Sequence, residues 1–319
     1  MNKFLNLFTF CKVIEGTEQS IICDFQKLSI KYIPNSMVEV IKMLQSNDYL
    51  TVKEEFSDQK GIFKSYVNFL IKEKFVFFSD ERENFISINN NWASPEIINN
   101  AIIEYDFNNF DLKSTLDQLD DLNCKFIELR FLSYDELKSN QIEDILNYCN
   151  DFGFRSLRLF LPYIDNRTSS KIYHKFKRFK KVEVFIFYNS QKEKVTYKTH
   201  NTVFVKKGIE EIRTSNFNEK DIIIDLEYYF EAQKYNPYYN KKVSIDYLGN
   251  IKNCIKNIAV FGNINTQSIE STVQLSTFQE FWNVTHDKIL DICKNEMRYN
   301  RLISNDFIKV DENFYQIIE

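Results

Sequence analysis

The sequence predicts a mixed α+β and α/β protein: a winged-helix-like module, an incomplete (β/α) barrel and a small C-terminal domain. Three observations predict it. Residues 1–33 read as strands, and two amphipathic helical stretches follow them. From about residue 97 apolar strands recur, with helical stretches between the first four. From about residue 236 the pattern changes to a hairpin turning at Gly249, a helix and a last strand. The divisions fall at 1–95, 96–235 and 236–319.

In the first module, "FLNLFTFCKVI" and "SIICDFQ" flank "EGTEQ", a Gly-containing hairpin loop. "KLSIKYI" alternates Leu28, Ile30 and Tyr32 against Lys27, Ser29 and Lys31, which predicts one buried and one wet face. Pro34 ends that strand. "NSMVEVIKMLQ" then sets Met37, Val40, Ile41 and Leu44 on one helix face, with Asn35 or Ser36 as its cap. A short polar region leads to "GIFKSYVNFLIKEK", whose Phe63, Val67, Leu70 and Ile71 are expected to face inward. "FVFFSDERENFISIN" reads as a closing hairpin.

The middle region offers "AIIEYDF", "FIELRFL", "SLRLFLP", "VEVFIFY", "TVFVKKG" and "DIIIDLEYYF" as strands. "FDLKSTLDQLDDL" carries Leu112, Leu116 and Leu119 at helical spacing, and "YDELKSNQIEDILNYCNDFG" ends at Gly153, a residue suited to a helix C-terminus. Strand, helix, strand at this spacing predicts parallel strands with right-handed crossovers. "NSQKEKVTYKTHN" reads as a loop or hairpin. An incomplete barrel fits about six strands. A doubly wound open sheet is the alternative, although no Gly-rich loop follows the first strand to hold a phosphate. Beyond "KKVSIDYLGNIKNC", the stretch "STFQEFWNVTHDKILDICKNEMRY" reads as helix and "FIKVDENFYQIIE" as a last strand.

The chain has 319 residues, 44% hydrophobic and 27% charged, which suits a soluble globular protein with sizeable cores. With 6 Gly and 4 Pro, no long flexible linker is expected. The 30 Phe and 18 Tyr read as core side chains standing in for Leu. A net charge of -4 gives no general pull toward nucleic acid or an anionic membrane. No apolar run reaches the length of a membrane span. Asn6 and Thr9 interrupt the apolar N-terminus and no small-residue cleavage site follows, so it reads as a strand of a cytoplasmic protein. The six cysteines, at 11, 23, 124, 149, 254 and 293, form no CxxC pair, and no disulfide framework is expected. Most read as core thiols, Cys124 just ahead of a strand and Cys149 within a helix.

Structural zinc needs four Cys or His ligands, and a four-iron cluster needs about four thiolates. The last third offers Cys254, Cys293 and His286, one ligand short. A radical S-adenosylmethionine enzyme needs three cysteines spaced CxxxCxxC after its first barrel strand. Here "AIIEYDF" is followed by "NNFDLKS", with no thiol. Asp225, Glu227 and Glu231 read as late-strand residues, Asp225 and Glu227 on one face, and suit either a solvated face or a site that binds a cation or moves a proton. His174, His200 and His286 lie far apart, and no GxSxG, HExxH or GxxxxGK[ST] occurs. "RTSSKIYHKFKRFKK" holds seven Lys or Arg and no acid. Its Lys171, Lys175 and Arg178 form either a docking face for an acidic partner or a solvated helix face. Tyr173, Phe176 and Phe179 there have the spacing of a core stripe.

The run from "VSIDYLGNIKNC" to "DICKNEMRY" resembles the SPASM-domain proteins of grasp-with-SPASM (graspetide-type) peptide systems. Gly249 to Cys254 matches their G-x4-C segment, Gly262-Asn263-Ile264 their "GNI" turn, and Cys293 with Arg298-Tyr299 their Cys-rich stretch with an Arg-Tyr pair. The first 95 residues are similar to the small winged-helix recognition element of ribosomal-peptide maturases, and the middle region resembles a degenerate radical SAM core. Relatives carry further cysteines around Cys293, where this chain has Glu296 and Asn300, and another before the hairpin, where it has "YNPYYNKK". The resemblance therefore implies vestigial Cys254 and Cys293, no cofactor and no [4Fe-4S] cluster.

What the resemblance implies is an accessory protein, a pseudoenzyme, that binds a precursor's leader and presents it to an ATP-grasp ligase. The leader would add a strand to the edge of "KLSIKYI". Lys27, Leu28, Ile30, Lys31 and Tyr32 would form one wall of the groove, and Lys64 and Asn68 of "GIFKSYVNFLIK" the other. Lysines at such an edge also serve simply to blunt it against aggregation. An iron–sulfur peptide-modifying enzyme with unusual ligands is the first alternative, and a winged-helix DNA-binding regulator the second, against which the acidic net charge argues.

Overall fold

The computed structural model describes residues 3–81, 91–196, 200–215 and 222–318. It divides into two compact units. The first takes Met1–Ala93, Phe217–Pro237 and Val284–Glu319, and the second Ser94–Asn216 and Tyr238–Asn283.

The first unit opens with β1 (Phe4–Leu7), β2 (Cys11–Ile14), β3 (Ser20–Asp24) and β4 (Ser29–Ile33). The apolar run expected as one strand is two: β1 breaks off, and β2, β3 and β4 form an antiparallel sheet in that order. A Cβ added at Gly16 would lie 2.5 Å from the Gln19 carbonyl oxygen, so the hairpin loop has no room for a side chain there. Helices α1 (Asn35–Ser46), α2 (Tyr49–Glu55) and α3 (Lys60–Lys72) follow, then β5 (Val76–Ser79), which pairs with β1. Helix α2 lies in the stretch read as merely polar. Asp48 caps it, accepting from the Leu50 and Thr51 amides at 3.0 and 3.2 Å.

Helix α1 starts after Pro34 with no side-chain cap, because the Asn35 carboxamide reaches instead to the Gly16 and Thr17 carbonyls. Met37, Val40, Ile41 and Leu44 are buried as expected, and so are Phe63, Val67 and Leu70 of α3. Ile71 is not: it is 44% exposed. Of the expected closing hairpin, residues 82–90 lie outside the described residues.

Strand β3 has a core on each face. Ile22 packs with Ile33, Met37, Val38, Ile41, Leu70 and Phe75 on the helix side. Ile21 and Cys23 pack with Ile14, Phe25, Tyr229, Phe230, Met297 and Tyr299 on the other. Tyr229 and Phe230 belong to a helix, Leu226–Ala232, where the sequence suggested a strand. Asp225 is its N-cap, accepting from the Tyr228 amide at 2.8 Å, so these acids lie on no strand and Asp225 and Glu227 share no strand face. The long helix expected before Tyr299 is also absent. In its place are short turns of helix at Ser276–Gln279, Phe281–Asn283, His286–Lys288 and Arg298–Asn300. The tail forms a hairpin of Asp306–Lys309 with Tyr315–Ile318.

In the second unit β6 (Asn100–Tyr105), α4 (Leu112–Asp121), β7 (Phe126–Phe131), α5 (Glu136–Tyr148), β8 (Ser156–Pro162), α6 (Asn166–Phe176) and β9 (Val182–Tyr188) alternate as read. Then come β10 (Lys194–Thr196), β11 (Asn201–Phe204), α7 (Ile209–Thr214), β12 (Lys242–Ile245), β13 (Asn250–Lys252) and β14 (Gly262–Asn263). One nine-stranded sheet runs β10-β11-β9-β8-β7-β6-β12-β13-β14, and its six central strands, β11 to β12, are parallel. The sixth parallel strand is thus β12, which the sequence suggested for a separate C-terminal hairpin.

The crossover helices share one face. Tyr148 of α5 donates to Asp117 of α4 at 2.7 Å, and Lys175 of α6 donates to Ser139 of α5 at 3.0 Å. A doubly wound sheet would divide them between two faces, so an incomplete barrel is the arrangement found. Asp111, Asp135 and Asp165 cap the three helices, each accepting from a backbone amide of the first turn. Helix α5 ends in a 3₁₀ turn, Cys149–Asp151, rather than at a left-handed Gly153. Among the described residues no helix is long and apolar enough to cross a membrane.

Ile22→Ala is expected to lower the unfolding free energy by about 2–5 kcal/mol, measured by urea denaturation. A second expectation concerns pH. Burial pushes the His286 imidazole down to about 4, below its ordinary 6.5. Between these values the unfolded chain binds the proton and the folded one does not. Stability therefore falls as pH drops from about 6.5 to about 4, by on the order of 3 kcal/mol from this group. Urea midpoints across that window check it, and His286→Phe should flatten the slope.

Candidate functional site

The strand β4 pairs with β3 on one side, and among the described residues with no strand on the other. Its side chains do not alternate as expected. Leu28 occupies the turn before it at φ 53° and is 64% exposed, and Tyr32 is 55% exposed. Only Ile30 of the three packs on a core, beside Cys23. An edge strand with exposed apolar side chains is a template for a further strand.

Lysines join this edge to the end of α3. Lys31 Nζ is 3.3 Å from the Glu73 carboxylate. Lys27 Nζ donates to the Glu73 and Lys74 carbonyls at 2.9 and 3.3 Å, where the helix leaves acceptors unsatisfied. It also lies 2.9 Å from Asp24. Burial alone would raise the Asp24 carboxyl, but the Lys27 hydrogen bonds hold it below the usual carboxylate range. Lys64 and Asn68 are exposed on α3, and with Ile71 they form an i, i+4, i+7 stripe.

The basic face of α6 is less open than the sequence suggests. Lys175 lies 2.9 Å from Glu143 of α5, and Arg178 pairs with the same carboxylate. The Lys175 hydrogen bond is the main influence holding the Glu143 carboxyl low. Lys171 is exposed. Tyr173, Phe176 and Phe179 are buried, as their spacing suggests.

Cys254, in the second unit, is buried and hydrogen-bonded to the Tyr238 hydroxyl at 3.2 Å. Cys293, in the first, is half-buried, its thiol 3.6 Å from the Leu290 carbonyl. Among the described residues no three His, Cys, Asp or Glu side chains group as metal ligands. Burial pushes the Cys11, Cys124 and Cys149 thiols up to about 12, as expected of core thiols. After β6, Asp106 accepts from the Asn108 and Asn109 amides at 3.0 and 3.3 Å, and no thiol is present. The Arg-Tyr pair is engaged in hydrogen bonds. Arg298 Nε donates to Asp287 at 2.8 Å and its Nη1 to the Glu15 carbonyl at 2.7 Å, while Tyr299 donates to Asp287.

The sequence reading missed a charged face on the second unit's sheet. Alternate residues of the parallel strands lie under the helices, among them Ile103, Leu129, Leu159 and Phe185. Those between them face the other way, and there Glu104 is wholly buried. Arg213 of α7 grips it through Nε at 2.7 Å and Nη2 at 2.6 Å. Arg130 Nη1 lies 3.4 Å from Glu104, and its Nε 2.6 Å from Glu128. The Arg213 guanidinium is pushed up: burial opposes this, but the Glu104 and Glu210 carboxylates outweigh it. The signal was present in "AIIEYDF" and "FIELRFL", whose acids and Arg fall on alternate positions of apolar strands.

Three crystal structures of SuiB from Streptococcus suis are similar to this chain. The one bound to S-adenosylmethionine is 10% identical, with 93% of this chain and 94% of that chain covered and a TM-score of 0.39. The one bound to precursor peptide SuiA is 9% identical, with coverage of 93% and 94% and a TM-score of 0.38. A third, of SuiB with no bound molecule named, is 8% identical, with coverage of 92% and 94% and a TM-score of 0.37. No family model matches the sequence, and no curated protein matches it.

Glu104→Gln is expected to destabilise the chain by about 3–5 kcal/mol, because the buried Arg130 and the half-buried Arg213 lose their shared carboxylate. Glu104→Met combined with Arg213→Met should recover part of that loss. Denaturant unfolding of the single and double variants checks both expectations.

Proposed function

We propose that this chain is an accessory protein of ribosomal-peptide maturation, which binds a precursor's leader along the outer edge of β4 and presents it to an ATP-grasp ligase. The observation that carries the reading is the unpaired edge of β4 with Leu28 and Tyr32 exposed beside it. An extended peptide gains affinity there from backbone hydrogen bonds, whatever its sequence, and specificity from the side chains it meets. Lys64 attracts an acidic leader, and such a leader competes with Glu73 for Lys31. Lys27 is committed to the end of α3 and serves the groove by fixing its floor. The chain holds and hands over its peptide, and no step of that role calls for radical chemistry.

Fluorescence anisotropy with a synthetic leader from a neighbouring precursor gene tests this. The expected affinity is tens of micromolar or tighter, about -6 kcal/mol. Tyr32→Asp and Lys64→Glu should each weaken it roughly tenfold, about 1.4 kcal/mol. No binding at that concentration sinks the reading. Iron and sulfide analysis of anaerobically purified protein separates it from the enzyme alternative, for which about four irons per chain are expected.

A further inference from the structure

Helix α6 carries charge in a way that its neighbours do not. No acid lies between Asp165 and Glu183. Arg167, Lys171 and His174 stand at i, i+4 and i+7 of the helix, and all three are exposed. Lys177 and Arg178, also exposed, continue the row into the turn that follows. At the helical rise it runs about 16 Å from Arg167 to Arg178. Part of the basic stretch is spent inside the fold. Lys175 lies 2.9 Å from Glu143 of α5, and Arg178 shares that carboxylate. Lys181 donates to the Cys149 and Asn150 carbonyls at 2.7 and 2.8 Å. Among the described residues Lys171, Lys177 and Lys180 form no ion pair.

Helix stability does not account for the row. A cation in the last turn complements the helix dipole, as Lys175 does, but one in the first turn opposes it, and Arg167 stands there. Arg167 with Lys171, and Lys171 with Lys175, are like charges at i, i+4, which repel each other. An anionic chain laid along the row would offset that repulsion. What the row lacks says which chain fits. Single-stranded nucleic acid needs exposed rings on which bases stack, and Tyr173, Phe176 and Phe179 are buried. A duplex would set phosphates against Asp165 at one end of the row and Glu143 beside the other. An extended peptide with acids at alternate residues places carboxylates about 7 Å apart, close to the rise of about 6 Å between i and i+4.

We infer that the outer face of α6 is a docking surface for a carboxylate-rich peptide segment of a partner protein. Arg167, Lys171 and Lys177 meet its carboxylates, while Lys175 stays on Glu143 and fixes α6 to α5. The face lies within the second unit and does not depend on leader binding at β4.

Anisotropy of a labelled oligoglutamate is measured against the full chain, with oligoglutamine, duplex DNA and single-stranded RNA compared at the same ionic strength. Oligoglutamate is expected to bind at low salt and to weaken as salt rises, because exposed charges are screened, while oligoglutamine does not bind. Lys171→Glu should weaken binding about tenfold. Lys53→Glu, an equal change of net charge at an exposed lysine of α2, should leave it as in the wild type. In the wild type, acetylation read by mass spectrometry should find Lys171 and Lys177 protected by the peptide, a readout that needs no variant to fold. Absence of binding, a loss in Lys171→Glu no larger than in Lys53→Glu, an unprotected Lys171, or tighter binding of either nucleic acid overturns the assignment.

Discussion

The first unit depends on burying β3 from both sides. All five of its residues are buried, and its sequence, "SIICD", shows an apolar run rather than alternation. A strand inside two cores must have its polar ends satisfied, and they are. Ser20 donates to Asn35 at 2.6 Å, and Asp24 accepts from the Gln26 and Lys27 amides at 3.0 and 2.9 Å. The second face is closed by residues far along the chain, Tyr229, Phe230, Met297 and Tyr299. A module cut at residue 95 would leave Ile14, Ile21, Cys23 and Phe25 facing water. With both faces of β3 closed, what its neighbour β4 leaves open is an edge.

The second unit solves the converse problem. Its parallel strands bury one set of side chains under α4, α5 and α6 and turn the other set to a face without crossover helices. Parallel sheets are ordinarily apolar on both faces. Here charge takes the place of apolar packing, and buried charge demands partners. Glu104 satisfies two arginines, and Glu128 and Glu210 hold the free ends of the same pair. Such a network fixes geometry more than it adds stability, since replacing a whole buried pair by apolar groups is often neutral.

Much of this was legible where the period was strong and the partner local. The 3.6-residue stripes of α1 and α4 declared themselves, as did the hairpin at Gly249, whose φ of 83° needs a glycine. The readings failed where an apolar run had to be assigned without a period. "IIID" before Leu226 looks like a strand until Asp225 is recognised as a cap and Tyr229, Phe230 and Ala232 as a buried helix face. The stretch 276–300 has helical composition, but its side chains pack in short turns. Pairing was the least legible of all. Nothing local in "KVSI" shows that it lies parallel to β6. Of the candidate site, the edge strand and α3 were readable, whereas the Glu104 network needed strands distant in sequence to be set side by side.

The C-terminal residues that carry the family resemblance have structural roles that need no metal. Gly249 turns a hairpin in which Asn263 donates to the Leu248 carbonyl at 3.0 Å. Arg298 ties Asp287 to the Glu15 carbonyl of the hairpin loop before β3, and Tyr299 packs on the second face of that sheet. Losing Arg298 or Tyr299 would loosen the core on the second face of β3. The two thiols differ from each other, Cys254 being buried and Cys293 only half-buried. The residues that build the β2-β3-β4 sheet hold their places through packing and hydrogen bonds, whereas among the described residues the Cys293 thiol meets only the Leu290 carbonyl, and the Cys254 thiol is buried beside the Tyr238 hydroxyl.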